Sequence, residues 1–324
     1  MNLPSIPFAL AALRGAPAGL GHVLVPVDFS EGSRAALELA AGLAHALNAR
    51  LTVLHIAEVA PRGFAGAVAD FPEIEKELRA AAEARMAEFT AAVQGSGVVV
   101  QTEVRCGFPF AGEKPAAQIV AAAASIKADL IVIGTHGRTG LDRALLGSTA
   151  EYVVRHAPCA VLTVRGGRAA KPGPRRIPGR LRLLVPVDFS ECSLQAVRYA
   201  ADVARRVGAQ MTLIHVVEPV RVGWLRDMKP ALRAATALQQ QAAQQLGELS
   251  KGEPLADLTV QRLVRTGKPA EVITHLADLT NADAIVISTH GHTGLRRALL
   301  GSVTEKIVRQ ARCPVLVVRA SAAS

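Results

Sequence analysis

Short apolar runs alternate with longer stretches whose apolar positions recur at helical spacing, and the alternation runs the length of the chain. The segment Ala128-Asp129-Leu130-Ile131-Val132-Ile133 reads as a parallel strand buried on both faces. In the first half of the chain the pattern predicts strands at about 22–27, 50–57, 98–105, 129–134 and 159–165. Helices are predicted between them at about 31–48, 73–94, 115–127 and 148–156. Ala35, Leu39, Leu43 and Leu47 give the first helix one apolar face, and Val197, Ala200, Ala204 and Val207 do the same in the second half. Strict alternation implies right-handed crossovers and a mainly parallel sheet covered on both faces. The expected class is α/β.

The second half repeats the first. Val25-Pro26-Val27-Asp28-Phe29-Ser30 recurs as Val185-Pro186-Val187-Asp188-Phe189-Ser190, 160 residues later, and His55 and His215 keep that offset. Gly134 and Ser288 are only 154 residues apart, so the first copy holds six residues that the second lacks. Aligning Gly107 with Gly267, then Lys114-Pro115-Ala116 with Lys268-Pro269-Ala270, places them at Phe108 to Glu113. A unit of this length is a whole domain rather than a solenoid repeat. The expected organisation is an N-terminal extension 1–20, a domain 21–166, a linker 167–180 and a domain 181–320.

Composition narrows the class of function. A chain of 324 residues, half of them hydrophobic, has the length of about two domains. It contains no stretch of about eighteen apolar residues, so no membrane partner is expected. The apolar run Ile6 to Leu13 has no basic residue before it and Arg14 after it, which argues against a secretory signal. Cys106, Cys159, Cys192 and Cys313 lack C-x-x-C spacing, which argues against zinc or a disulfide framework and fits a reducing cytoplasm. Cys159 and Cys313 stand at matching places and are expected to be small buried thiols. The net charge of +10 owes five charges to Arg168, Lys171, Arg175, Arg176 and Arg180 in the linker. That stretch reads as solvated, and no aromatics are interleaved to stack on bases, so nucleic acid is not an expected partner.

The richest chemistry lies in a loop that follows the fourth strand. Gly134 to Ser148 reads G-T-H-G-R-T-G-L-D-R-A-L-L-G-S, and 288–302 reads S-T-H-G-H-T-G-L-R-R-A-L-L-G-S. Gly134, Gly137 and Gly140 are expected to allow positive backbone angles and close approach to a ligand. Ser148 is expected to cap the short helix that follows, whose first-turn N–H groups favour an anion. The run Gly107 to Pro115 is not a Walker A loop, because Pro115 stands where Ser or Thr is needed.

The spacing G-x-x-G-x9-G-[S/T] resembles the nucleotide-binding loop of the universal stress protein family, ATP-binding type. The resemblance covers about 22–165 and 181–319. It implies two tandem doubly wound, Rossmann-like domains with strand order 3-2-1-4-5, whose first and fourth strands make the topological switch point where open α/β sheets bind ligands. It implies that Asp28 and Asp188 take the adenosine end of ATP or a related adenine nucleotide, and that Ile56 and Val216 hold adenine. Gly134, Gly137, Gly147, Ser148 and Thr149 would meet ribose and phosphates, as would Ser288, Gly291, Gly301, Ser302, Val303 and Thr304 in the second copy. Arg138, with His292 as its counterpart, would reach the polyphosphate. His136 and His290 read as orienting groups, and magnesium would bind through the phosphates. Ser288 in place of glycine makes the first site the stronger expectation. The resemblance further implies a cytoplasmic stress-response regulator in which the domains form a pseudo-dimer through Val161 to Arg165 and Val315 to Arg319, with homodimerisation and an unidentified protein partner open. No carboxylate pair or Ser/His/Asp spacing marks a catalytic centre. Weak ATP hydrolysis, autophosphorylation and a nucleotide-free interaction module remain alternatives.

Overall fold

The structure is a computed structural model that describes residues 20–58, 71–94, 97–107, 114–135, 146–166, 181–219, 228–289 and 300–319. The described residues divide into two compact units, 20–166 and 181–319.

The first unit runs β1 (His22–Val27), α1 (Glu31–Leu47), β2 (Arg50–Glu58), α2 (Phe71–Thr90), β3 (Val100–Gly107), α3 (Pro115–Ser125), β4 (Leu130–Gly134), α4 (Ser148–His156) and β5 (Ala160–Val164). Its strands are ordered β3-β2-β1-β4-β5 and pair in parallel. The second unit repeats this with β6 (Arg182–Pro186), α5 (Glu191–Val207), β7 (Gln210–Val217), α6 (Met228–Lys251), β8 (Val260–Thr266), α7 (Pro269–Leu279), β9 (Ala284–Ser288), α8 (Ser302–Gln310) and β10 (Val315–Val318). Its order is β8-β7-β6-β9-β10, again parallel. The expected α/β class and the 3-2-1-4-5 order hold. β3 begins two residues later than its pattern suggested, at Val100, because exposed Val99 precedes the ladder that opens at Leu51 and Val100.

Leu24, Val25, Leu51, Val53, Leu54, Ile131 and Val132 are fully buried, as strands covered on both faces require. α1 packs through a different face from the one its leucines suggested. Ala36, Leu37, Ala40, Ala41, Ala44 and Leu47 are buried, while Ala35, Leu39 and Leu43 lie half-exposed on the flank. Alanines let the helix axis approach a sheet crowded with Val, Leu and Ile, and the larger leucines fill the margin. In α5 the expected Val197, Ala200 and Ala204 are buried, and they match Leu37, Ala40 and Ala44 by the 160-residue offset. The side chain of Val207 lies outside the described residues.

The start of β1 is tied to β4 by Asp129, whose Oδ2 accepts the Gly21 and His22 amides at 2.8 and 3.0 Å. Asp283 accepts the Arg182 amide at 2.9 Å in the second unit. These ties fix the amino edge of each sheet, so the strand lengths set where the carboxyl edge falls.

Candidate functional site

At the carboxyl edge the first and fourth strands part company. β1 pairs with β2 along its whole length, to Val27 opposite His55, but with β4 only at Val23–Leu130 and Leu24–Ile131. β6 likewise pairs with β9 only at Leu183–Ala284 and Leu184–Ile285. Proline explains the stop. The Val187 amide donates to Ile214 O of β7 at 2.8 Å. By the alternation of a strand, position 186 therefore faces β9, and Pro186 has no N–H to give. Pro26 holds the same place in β1. The Val-Pro-Val-Asp run thus ends the ladder at the switch point, a role visible in the sequence and not drawn from it.

Asp28 follows at the end of β1. Its Oδ1 accepts the Ser30 amide at 3.1 Å and the Ser30 hydroxyl at 2.5 Å, and Ser30 Oγ in turn accepts the Ser33 amide at 3.2 Å as the N-cap of α1. Asp188, Ser190 and Ser193 repeat this at 3.0, 2.6 and 3.2 Å. The chain reaches this arrangement through Phe29 and Phe189, both at φ 65°, a left-handed conformation that costs a non-glycine residue about 1–2 kcal/mol. Aromatic packing holds each ring there. Phe29 lies 4.3 Å from the His55 ring and 5.4 Å from Phe89, and Phe189 lies 4.8 Å from His215. His55 Nδ1 donates to Val27 O at 2.8 Å, and His215 to Val187 O at 2.8 Å, so each imidazole also pins the end of its neighbouring strand. In the first unit Arg34 and Arg85 cap Phe89 and Phe29 at 4.3 and 4.6 Å. Asp28 is therefore fixed by its neighbours and half-buried.

Continuing the strand register places Asp28 beside Ile56 of β2, and Val27 level with Gly134 of β4. Ile56 is 8% exposed, whereas its counterpart Val216 is half-buried. The sequence-predicted residues of each unit thus gather from three adjacent strand ends.

Gly134 does not adopt the expected positive backbone angle and has a packing role that its motif did not suggest. A Cβ there would lie 2.7 Å from Gly32 C and 2.9 Å from Gly32 O. Its missing side chain admits the first turn of α1. In the second unit Cys192 and Ser288 occupy the matching pair, and Ser288 is 5% exposed. By the matched geometry the Cβ of Ser288 is directed at the start of α5.

β4 and α4 meet at a neck. Gly147 N donates to Thr135 O at 2.9 Å, and Thr135 N to Val164 O at 2.9 Å. Gly301 and Thr289 repeat the bond at 2.8 Å. The N-cap of α4 is Gly147, not Ser148, which is exposed and already helical. Glycine supplies no side chain, so the N–H groups of Ser148, Thr149 and Ala150 start the helix uncapped, as do those of Ser302, Val303 and Thr304 behind Gly301. Uncapped first-turn amides and the positive helix end together favour an anion. The Thr304 hydroxyl is engaged with Ser288 O at 2.9 Å, where Ala150 stands in the first unit, so its side chain braces β9. His136, Gly137, Arg138, Gly140, His290, Gly291 and His292 lie outside the described residues, as do the Phe108–Glu113 insertion and the linker. Among the described residues no cluster of acids, histidines and cysteines could hold a metal, and no helix is long and apolar enough to cross a membrane.

Two parallel α/β units, each with a bare helix start beside an interrupted ladder, define a tandem doubly wound α/β architecture. A model of the universal stress protein family matches residues 19–165 and again 179–319, and the chain belongs to that family. A universal stress protein of Mycolicibacterium smegmatis is 32% identical over 307 residues, covering 92% of this chain and 96% of that protein. One from Mycobacterium tuberculosis is 34% identical over 199 residues, which span 61% of this chain and 64% of the relative's length. The crystal structure of a universal stress protein from Archaeoglobus fulgidus shares the fold with a TM-score of 0.65 at 21% identity, covering 92% of this chain and 98% of that one.

Proposed function

We propose that each unit binds an adenine nucleotide, ATP or a close relative, across the switch point, and that the chain works as a nucleotide-responsive regulator in the stress response. The observation that carries this reading is the uncapped start of α4 and α8 at the strand ends where the ladder is interrupted, built twice from the same residue types. Asp28 and Asp188 are held where a carboxylate can accept from ribose hydroxyls. Ile56 and Val216 offer an apolar edge for adenine. Phosphates lie on the amides of Gly147, Ser148 and Thr149, or of Gly301, Ser302 and Val303, with magnesium carried by the phosphates.

The first site is the stronger of the two on this reading. Ser288 no longer supports that ranking, because the glycine it replaces is a packing residue. The ranking rests on Arg138, whose guanidinium is a better polyphosphate donor than its counterpart His292. Domain limits of 21–166 and 181–320, an N-terminal extension, a basic linker, pairing of the units through their final strands and a cytoplasmic setting belong to the same proposal.

Mass analysis of nucleotide released from freshly purified, denatured protein tests it. Adenine nucleotide at one or two per chain is the expected outcome. Protein that is empty and gives no heat with added ATP in calorimetry overturns the reading.

A further inference from the structure

The amino edges of the two sheets differ in a way that the function proposed above does not use. In the first unit His22 fills the corner between β1, β2 and the end of α3. Its Nδ1 donates to Ile126 O at 3.2 Å and its Nε2 meets Thr52 Oγ1 at 2.8 Å, with the residue only 6% exposed. Arg182 stands at the matching position in the second unit. Its Nη1 reaches Thr280 O at 2.9 Å, the counterpart of Ile126 O, so it takes over the bond to the helix end. The longer side chain leaves the space above Thr212 unfilled. A cleft of about 200 Å³ opens there, lined among the described residues by Arg182, Gln210, Thr212, Gln261 and Thr280, with Leu183, Leu184 and Ala282 as its apolar floor.

The donors of this cleft outnumber their uses. The Thr280 hydroxyl is committed to Leu276 O at 2.8 Å. Thr212 lacks the histidine partner that Thr52 has. Among the described residues, Arg182 Nε and Nη2, the side-chain amides of Gln210 and Gln261 and the Thr212 hydroxyl have no hydrogen-bond partner. Asp283 and the last carbonyls of α7 supply negative charge beside the cleft, and their oxygens are turned to the Arg182 amide, through Asp283 Oδ2, and to Nη1, through Thr280 O. The remaining face of the guanidinium is planar and cationic, flanked by neutral donors, which is the arrangement that recognises an oxyanion through paired N–H groups.

We propose that this cleft is a binding site for a small oxyanion, phosphate or carboxylate, present in the second unit alone. Arg182 precedes Asp188 by six residues along β6 and its extension, roughly 20 Å at strand rise, so the site is separate from the switch-point crevice. The first unit cannot share it, because the His22 ring occupies the corresponding volume and binds Thr52.

The test is titration of the full-length protein with inorganic phosphate and, separately, with acetate at constant ionic strength. The side-chain amide resonances of Gln210 and Gln261 and the Arg182 Nε–H report the cleft, and the backbone amides of Ser302 and Val303 report the crevice. One guanidinium face with neutral donors supports a Kd on the order of 1 mM. Saturation by phosphate alone assigns a phosphate site, and saturation by acetate alone or by both assigns a carboxylate-sized site; each upholds the proposal. Arg182→His, which writes the first unit's residue into the second, should weaken binding at least about tenfold, as should Thr212→Val to a smaller degree. Shifts confined to Ser302 and Val303, no saturation by either anion up to about 100 mM, or wild-type titration of folded Arg182→His overturns it.

Discussion

A Cβ on Gly134 would stand 2.7 Å from the carbonyl carbon of Gly32, so the fourth strand and the first helix touch backbone to backbone. Neither partner can retreat, since Gly134 closes the β4–β5 ladder opposite Val164 and Gly32 sits one residue inside a helix capped by Ser30. Gly134→Ser should therefore destabilise the first unit by about 1–3 kcal/mol, the usual scale of overpacking. Hydrogen exchange of the α1 amides and denaturant unfolding read this directly. Ser288→Gly in the second unit should cost less than about 1 kcal/mol, because the fold there already accommodates a Cβ.

Ser30 links two jobs, capping α1 and holding Asp28. Ser30→Ala should lower stability by about 1 kcal/mol and weaken ATP binding in the first site. Calorimetry on Ser30→Ala and Ser190→Ala, alone and together, should show each lowering affinity in its own unit. Unchanged affinity with lowered stability would confine the serine to its capping role.

His22 gives the first unit a pH dependence that the second lacks. Burial, and next the nearby Arg50 charge, push its pKa below the ordinary 6.5. The unfolded chain therefore binds the proton more readily, and the neutral ring's contribution is complete above about 6.5 and falls as pH drops below it. The loss proceeds at no more than about 1.4 kcal/mol per pH unit and ends at the lowered folded pKa. Denaturation midpoints between pH 8 and pH 5 should fall more steeply for wild type than for His22→Gln, and the difference should map to unit one in hydrogen exchange.

Cys159 and Cys313 are half-buried rather than fully buried as their position suggested, and partial desolvation still pushes their thiols up to about 12. At pH 8 only about one molecule in ten thousand then carries thiolate at either position. Both should resist iodoacetamide in the folded protein and react fully in denaturant, as peptide mapping would show.

Much of this was legible in the sequence, and the failures share a cause. Strand positions followed from apolar runs because strands buried on both faces have few other compositions. The leucines of α1 point to its flank rather than its buried face, which the second copy's Val197, Ala200 and Ala204 name by simple offset. Alanine carries little weight in a pattern and much in a close contact. Glycine in a loop motif has two readings, ligand approach and close packing, and at Gly134 the second shows only through the proximity of Gly32, over a hundred residues earlier. Ser148 has the chemistry of a cap, but the neck bond of Gly147 to Thr135 sets where the helix starts. Pro26 and Pro186 were in plain view. Their meaning depends on which neighbour the missing N–H would have faced, and that is a property of the sheet.

The neck bonds from Gly147 to Thr135 and from Gly301 to Thr289 have a consequence for how such chains can diversify. Each bond joins the end of the fourth strand directly to the start of the following helix, so the described backbone is closed at that point whatever chain connects the two, and doubling the length of a connection costs only about 0.6 kcal/mol of closure entropy. Two such closures on one chain give a duplicated protein two points at which length can change without unpairing a strand.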